Sequence, residues 1–531
     1  MSENNLIFTY IISIPIFSII SSILTLNFTL KSKTISNVIL LIIKAINIGI
    51  SIIIIKHVIE YFNKSSDPLI WSFQWFKTYY GNIPISFGIN QINATLILII
   101  TIIAFTSHIN YVSNNLFEEK EKQSKITSFS SIYDSLIILA IISYSYIQTA
   151  TFLLLSSIAQ FILMFNNSKD TSESNQINNM AITTVFFDYI TIIGAMIFSN
   201  SYNNQIDIIS NISIQIESKE IKSIAFCMML MGSMFRAGMI PFSLIYFIKN
   251  SFFSDTTLKI ISIGNTIIAF WLIYILNPNK EYVTNIIIIT FIGLLNITAL
   301  ILSIYSLLQS NIMKITGCLC IANTSIVTAG MLQNNIFSIY CIISSSIIPA
   351  LILISSSYLC KISRTEDIKE IQWKEKPAIT FIYIICLIII SGFPPFTGIE
   401  KDLVNKEFLS NNLYLYTIIF LFINIASIKP IFTILSNSNK QKDNRKFESP
   451  FNISIKDAGI FFLSALFFLT EINHIIYVIN NQKILLNYSL FPIILGLIIV
   501  ILYTIFYKNK YISLIRDKVK NSNFYKILGK N

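Results

Sequence analysis

Ser391-Gly392-Phe393-Pro394-Pro395-Phe396-Thr397-Gly398-Ile399-Glu400-Lys401-Asp402-Leu403 closes a long apolar run with two glycines, two prolines and three adjacent charges. Pro394 and Pro395 remove amide donors, and the glycines favour non-helical backbone, so several polar main-chain groups leave the helical ladder here. In hydrocarbon such groups persist only where protein or trapped water satisfies them. The stretch therefore reads as a broken helix inside a bundle, with Glu400, Lys401 and Asp402 at or near membrane depth. The competing reading is a helix end carrying a solvated charge cluster, and the rest of the chain has to decide between them.

Of the 531 residues, 54% are hydrophobic and 12% charged, with a mean hydropathy of +0.67, which fits a polytopic membrane protein better than several soluble domains. The net charge of +11 is carried mostly by lysine, arginine occurs only at Arg236, Arg364, Arg445 and Arg516, and Ile, Asn and Ser are abundant. That composition fits an AT-rich genome, of an organelle or a reduced bacterium. Loop lysines on one side of a bilayer account for the charge without nucleic acid. Cys227, Cys318, Cys320, Cys341, Cys360 and Cys386 lie in or beside apolar segments without paired spacing and read as core thiols. The N-terminus shows no cleavable signal, because Glu3 precedes the first apolar run and no basic region does.

Windows long enough to cross about 30 Å of hydrocarbon fall at residues 6–27, 36–56, 88–108, 131–147, 149–167, 182–200, 223–248, 257–276, 284–307, 315–331, 334–359, 378–400, 412–435, 457–478 and 488–507, about fifteen in all. A polar, aromatic loop separates the second from the third, and 315–331 is the weakest. Lys31, Lys33, Lys120, Lys122, Lys125, Lys169, Lys249, Lys314 and the loops from Lys361 to Lys376 and Lys440 to Lys456 share one side with the tail from Lys508. The positive-inside rule then puts the N-terminus outside and the C-terminus in the cytoplasm or matrix, in a bacterial or mitochondrial inner membrane.

Ionisable residues inside spans are expensive and mark function by default. Lys44 lies a third of the way into its span, where its stem can reach the basic side, and reads as a snorkelling lysine. Asp188 has no base near it in sequence and must find a partner or a proton. Arg236 stands in Gly232-Ser233-Met234-Phe235-Arg236-Ala237-Gly238-Met239-Ile240-Pro241, a second break carrying a base. Two interrupted apolar segments in the two halves of a membrane chain are the usual pointer to a repeat-built transport site. His57, and His474 with Glu471, lie near span ends and read as interfacial. No phosphate loop, metal-ligand cluster, nucleophile elbow or nucleotide fingerprint is found. Any catalysis is then transport, or belongs to a partner subunit.

Several of these stretches resemble the antiporter-like membrane subunits of respiratory complex I, most closely the one called chain 5 or chain L, which is related to the large subunits of Mrp-type cation/proton antiporters. Trp71 to Ser113 resembles the family's approach to its third helix, with Asn90 where an Asp is usual. Asp188 matches an acidic position of the sixth helix, and Arg236 the lysine of the first broken helix. Gln309 to Lys314, Glu366 to Lys369 and Ser391 to Leu403 resemble the start of a later helix, a loop and the second broken helix. Lys401-Asp402 matches a Lys-Asp pair. Departures are equally specific: Leu153 falls where a fifth-helix Glu is usual, Pro349 where a central lysine is, and Cys341 and Ser345 where histidines precede it.

The resemblance implies an all-α protein of two inverted repeats: N-terminal helices over 1–130, a first repeat over 131–277, a second over 278–436, and C-terminal helices with a basic tail over 437–531. It implies a subunit without redox chemistry in a proton-pumping NADH:quinone oxidoreductase, with Lys401, Asp402, Glu400, Arg236 and Asp188 on the proton path and helix breaks at Pro241, Pro394 and Pro395. This chain would bind no metal or cofactor. NADH, flavin, iron–sulfur clusters and quinone belong to the expected partner subunits. Two alternatives stand beside it, an Mrp-type antiporter subunit and a structural membrane subunit that no longer conducts.

Overall fold

The computed structural model describes residues 3–29, 33–62, 69–78, 81–114, 120–167, 171–200, 219–236, 238, 266–276, 285–333, 339–371, 376–392 and 413–436, with isolated positions between 460 and 472. Ten of its helices are long and apolar enough to cross a membrane. The chain is a polytopic, all-α membrane protein. The windows at 488–507 and most of 457–478 lie outside the described residues, as do Pro241, Pro394, Pro395, Glu400, Lys401 and Asp402.

The chain divides into two compact units, one of residues 1–236 with 254–288, the other of 237–253 with 289–531. In the first, α1 (Glu3–Thr29) and α2 (Lys33–Phe62) lead into strands β1 (Leu69–Thr78) and β2 (Gly81–Ile89), followed by α3 (Gln91–Asn114), α4 (Lys120–Ile142), α5 (Tyr146–Asn167), α6 (Thr171–Asn200), α7 (Lys219–Arg236) and α8 (Thr266–Leu276). Each helix from α1 to α7 packs on its successor; α1 also packs on α4, and α8 on α7.

The strands correct the expected loop. Leu69 pairs with Ile89 and Trp71 with Phe87 in an antiparallel hairpin, and Phe8 of α1 packs on Trp71 and Phe73 with ring centroids 5.2 and 5.4 Å apart. Asn90 ends the hairpin as the N-cap of α3, its Oδ1 accepting the Asn93 amide at 2.8 Å.

The second unit holds most of α9 (Asn285–Leu308), with α10 (Ile312–Gln333), α11 (Ile339–Ser363), α12 (Pro377–Ile390) and α13 (Leu413–Ser436). Here the weakest window proves the most central: the apolar stretch of α10 is wholly buried within the chain, against 28% for that of α2. A span surrounded by protein has no need to be apolar all round. Thr316, Asn323, Thr324, Ser325 and Thr328 of α10 are all buried. Thr324, Ser325 and Thr328 each donate to a carbonyl one turn back, at 2.8 Å, so the hydroxyls are satisfied within the helix.

Asn311 caps α10, its Oδ1 accepting the Met313 and Lys314 amides at 2.9 and 3.2 Å. Its neighbours clasp the loop after α11: Ile312 N–H donates to Glu366 O and Ile368 N–H to Ser310 O, both at 2.9 Å. Two stretches that the resemblance picks out separately, Gln309–Lys314 and Glu366–Lys369, are thus one structural feature.

The two helices that lead into the Gly/Pro stretches stop alike. α7 ends at Arg236 and Gly238 follows with φ 81°; α12 ends at Ile390 and Gly392 follows with φ 77°. A left-handed glycine just past the last helical residue is a common helix stop. From each glycine the sequence runs Gly-x-x-Pro-Phe, to Phe242 and to Phe396.

Candidate functional site

Small residues let α6 and α7 approach closely enough for their charges to meet. Gly194 lies against the Ala225 carbonyl and Met228, and Gly232 lies against Thr191, so that a side chain on either would collide. Such close crossings are how polar residues on neighbouring spans come into contact. Asp188 stands one turn before Thr191, and Arg236 one turn after Gly232. Phe187 and Phe235 beside them stack with centroids 4.4 Å apart.

Arg236 then reaches Asp188, 48 residues away in sequence. Its Nη2 and Nε donate to Asp188 Oδ1 at 2.8 and 3.1 Å. Nη2 also donates to Ser157 Oγ at 2.6 Å and to the Leu153 carbonyl at 2.7 Å. The side chains are 1% and 2% exposed. As the last residue of α7, Arg236 also puts its cation at the negative end of that helix. Leu153 brings no carboxylate, yet its main chain and the hydroxyl one turn on occupy part of the guanidinium. Arg236 Nη1 and Asp188 Oδ2 are buried without a hydrogen-bond partner among the described residues. A buried polar group left without a partner is costly, so these two atoms call for water or for a ligand group.

Lys44 corrects the snorkelling expectation. Its ammonium points inward to Asp134 of α4 at 3.0 Å, with side chains 7% and 5% exposed. A partner 90 residues away makes burial cheaper than the reach to the interface. Tyr133, next to Asp134 in sequence, is fully buried as well.

Glu471 is a second correction: it is buried rather than interfacial, and accepts a hydrogen bond from Ser344 Oγ of α11 at 2.6 Å. His474 lies outside the described residues. Pro349, inside α11, removes the donor that the Ser345 carbonyl would otherwise meet. Cys318, Cys320 and Cys386 are buried thiols, and Cys227 and Cys360 are half-buried. Sequence reasoning missed Asp134, Tyr133 and Lys429. The last, on α13, donates to the Leu307 and Gln309 carbonyls at the end of α9.

No protein-family profile and no curated protein matches this sequence. Solved structures do. One chain of the membrane-bound sulfane sulfur reductase (MBS), an archaeal respiratory membrane complex, superposes with a TM-score of 0.70 at 13% identity, covering 91% of this chain and 98% of that one. A chain of respiratory complex I from Thermus thermophilus with bound NADH gives 0.64 at 11% identity, covering 85% and 94%. This chain shares their fold. A divergent, polytopic all-α membrane protein with the fold of those chains is what the architecture and these likenesses show.

Proposed function

We propose that this chain is a membrane subunit of a proton-pumping respiratory complex of the NADH:quinone oxidoreductase kind, lending it a half-channel while partner subunits carry NADH, flavin, iron–sulfur clusters and quinone. The observation that carries the proposal is the Arg236–Asp188 pair, buried beside a helix stop and keeping one unmet donor and one unmet acceptor. Arginine holds its proton under almost all conditions. The pair therefore works as a gate, opening or closing a polar path as Asp188 is bound or released, rather than as a carrier. Lys401, Asp402 and Glu400 are proposed as the carriers toward the exit side, with Lys401 next to a carboxylate able to take its proton.

The test is proton transport and assembly in membranes bearing Asp188→Asn or Arg236→Ala, with Lys401→Arg as a third variant. Impaired transport in all three, with Lys401→Arg still assembled, is expected. Normal assembly and pumping in the first two overturns the gate, and wild-type pumping by Lys401→Arg makes Lys401 a structural counter-ion.

One observation favours a second reading. The guanidinium cannot release a proton, and Leu153 offers it a carbonyl where a titratable carboxylate would be needed. A subunit that only holds its assembly together would have this chemistry, and in it Lys401→Ala leaves turnover and proton stoichiometry unchanged.

A further inference from the structure

Helix α2 is the most lipid-exposed of the long spans by the share of its apolar window, yet its buried face is polar. Lys44, Asn47 and Ser51, spaced to lie on one face, are 6%, 4% and 0% exposed. Each is matched from a different helix: Lys44 by Asp134 of α4, Asn47 by Ser18 of α1 at 3.0 Å, and Ser51 by Thr101 of α3 at 3.2 Å. Seven residues of helix make this file about 10 Å long. The Ser51 and Thr101 hydroxyls also bond back to their own helices, at 2.7 and 2.9 Å, so the pairs that set this face apart are Asn47–Ser18 and, at its end, the buried Lys44–Asp134 ion pair.

The buried cations of the first unit also differ in chemistry. Arg236 holds its proton under almost all conditions, whereas a lysine is chemically able to exchange one.

We infer that Lys44 and Asp134 form the proton-exchanging site of the first unit, reached along the buried polar face that Asn47 and Ser51 continue on α2. The inference rests on the translocation reading above. In the step, an Nζ–H bond of Lys44 breaks and the proton passes to Asp134 Oδ2, leaving a neutral amine and a neutral acid. The acid then gives the proton to water, and the amine is reloaded from water at the file.

The test uses the intact complex, purified through a tag on this chain and reconstituted in vesicles enclosing a pH-sensitive dye. NADH oxidation and proton translocation are read together. Lys44→Arg keeps the ion pair and cannot exchange, so assembly within twofold of wild type with at least a threefold fall in protons moved per NADH is expected. Wild-type stoichiometry in this variant overturns the inference. Should Lys44→Arg fail to assemble, the neutral double variant Lys44→Gln/Asp134→Asn is measured, with the same two outcomes. Asp188→Asn separates the two levels: a fall there with Lys44→Arg unaffected sinks the inference alone, whereas no fall in either sinks the translocation reading with it.

Discussion

Arg236 and Lys44 in the first unit each face a buried carboxylate, at 2.8 and 3.0 Å, while Lys429 in the second is held by the main-chain carbonyls of Leu307 and Gln309. A carboxylate can be neutralised by a proton; a carbonyl dipole at a helix end cannot. In the second unit the buried Glu471 accepts a hydrogen bond from the buried Ser344 hydroxyl of α11.

The comparison can be broken most directly at the ion pair. Asp188→Asn strips the counter-charge from a buried guanidinium and should cost about 3–5 kcal/mol, read as a lower unfolding temperature of the solubilised protein. Gly232→Val forces a side chain into Thr191 and should cost about 1–3 kcal/mol by the same measurement, with the α6–α7 contact loosened. Lys429→Met removes the bonds to the Leu307 and Gln309 carbonyls, so about 1–2 kcal/mol is expected by the same measurement.

The two caps sharpen the comparison. Asn90→Ala and Asn311→Ala should each lose about 1 kcal/mol, with the larger loss at Asn311, because its amide bonds the Glu366 carboxylate whereas that of Asn90 makes a longer bond, 3.4 Å, to the neutral Tyr274 hydroxyl. The smallest effect belongs to Lys56→Ala. Its partner Glu60 lies 4.0 Å away and both are exposed, so the change should stay within about 0.5 kcal/mol.

Most spans could be read from runs of apolar residues, because that criterion finds helices that face lipid. It undervalued α10, whose Thr and Ser sit in protein rather than hydrocarbon. The hairpin was hidden in a segment whose alternation of Trp71, Phe73 and Trp75 was the available signal, without an Asn-Gly turn to mark it. Asp188 and Arg236 each stood out as a charge in a span, and the small residues Gly194 and Gly232 were the sign that α6 and α7 meet. Lys44 was misjudged because its answer, Asp134, lies on another helix, and no local pattern carries such a distance. Glu471 was misjudged for a related reason: nearness to a span end means water only if the span end is at the surface.

The clasp between Ser310–Ile312 and Glu366–Ile368 ties the beginning of α10 to the chain just past α11, and the bond from Tyr144 N–H to Ser86 O does the same for the chain before α3 and after α4. Two antiparallel spans fastened at one end cannot slide past each other along the bilayer normal. When the bilayer thins or thickens, such a pair must tilt as one body. Each clasp therefore sets the depth of its pair as a unit, keeping polar groups on paired spans level with each other in membranes of different thickness.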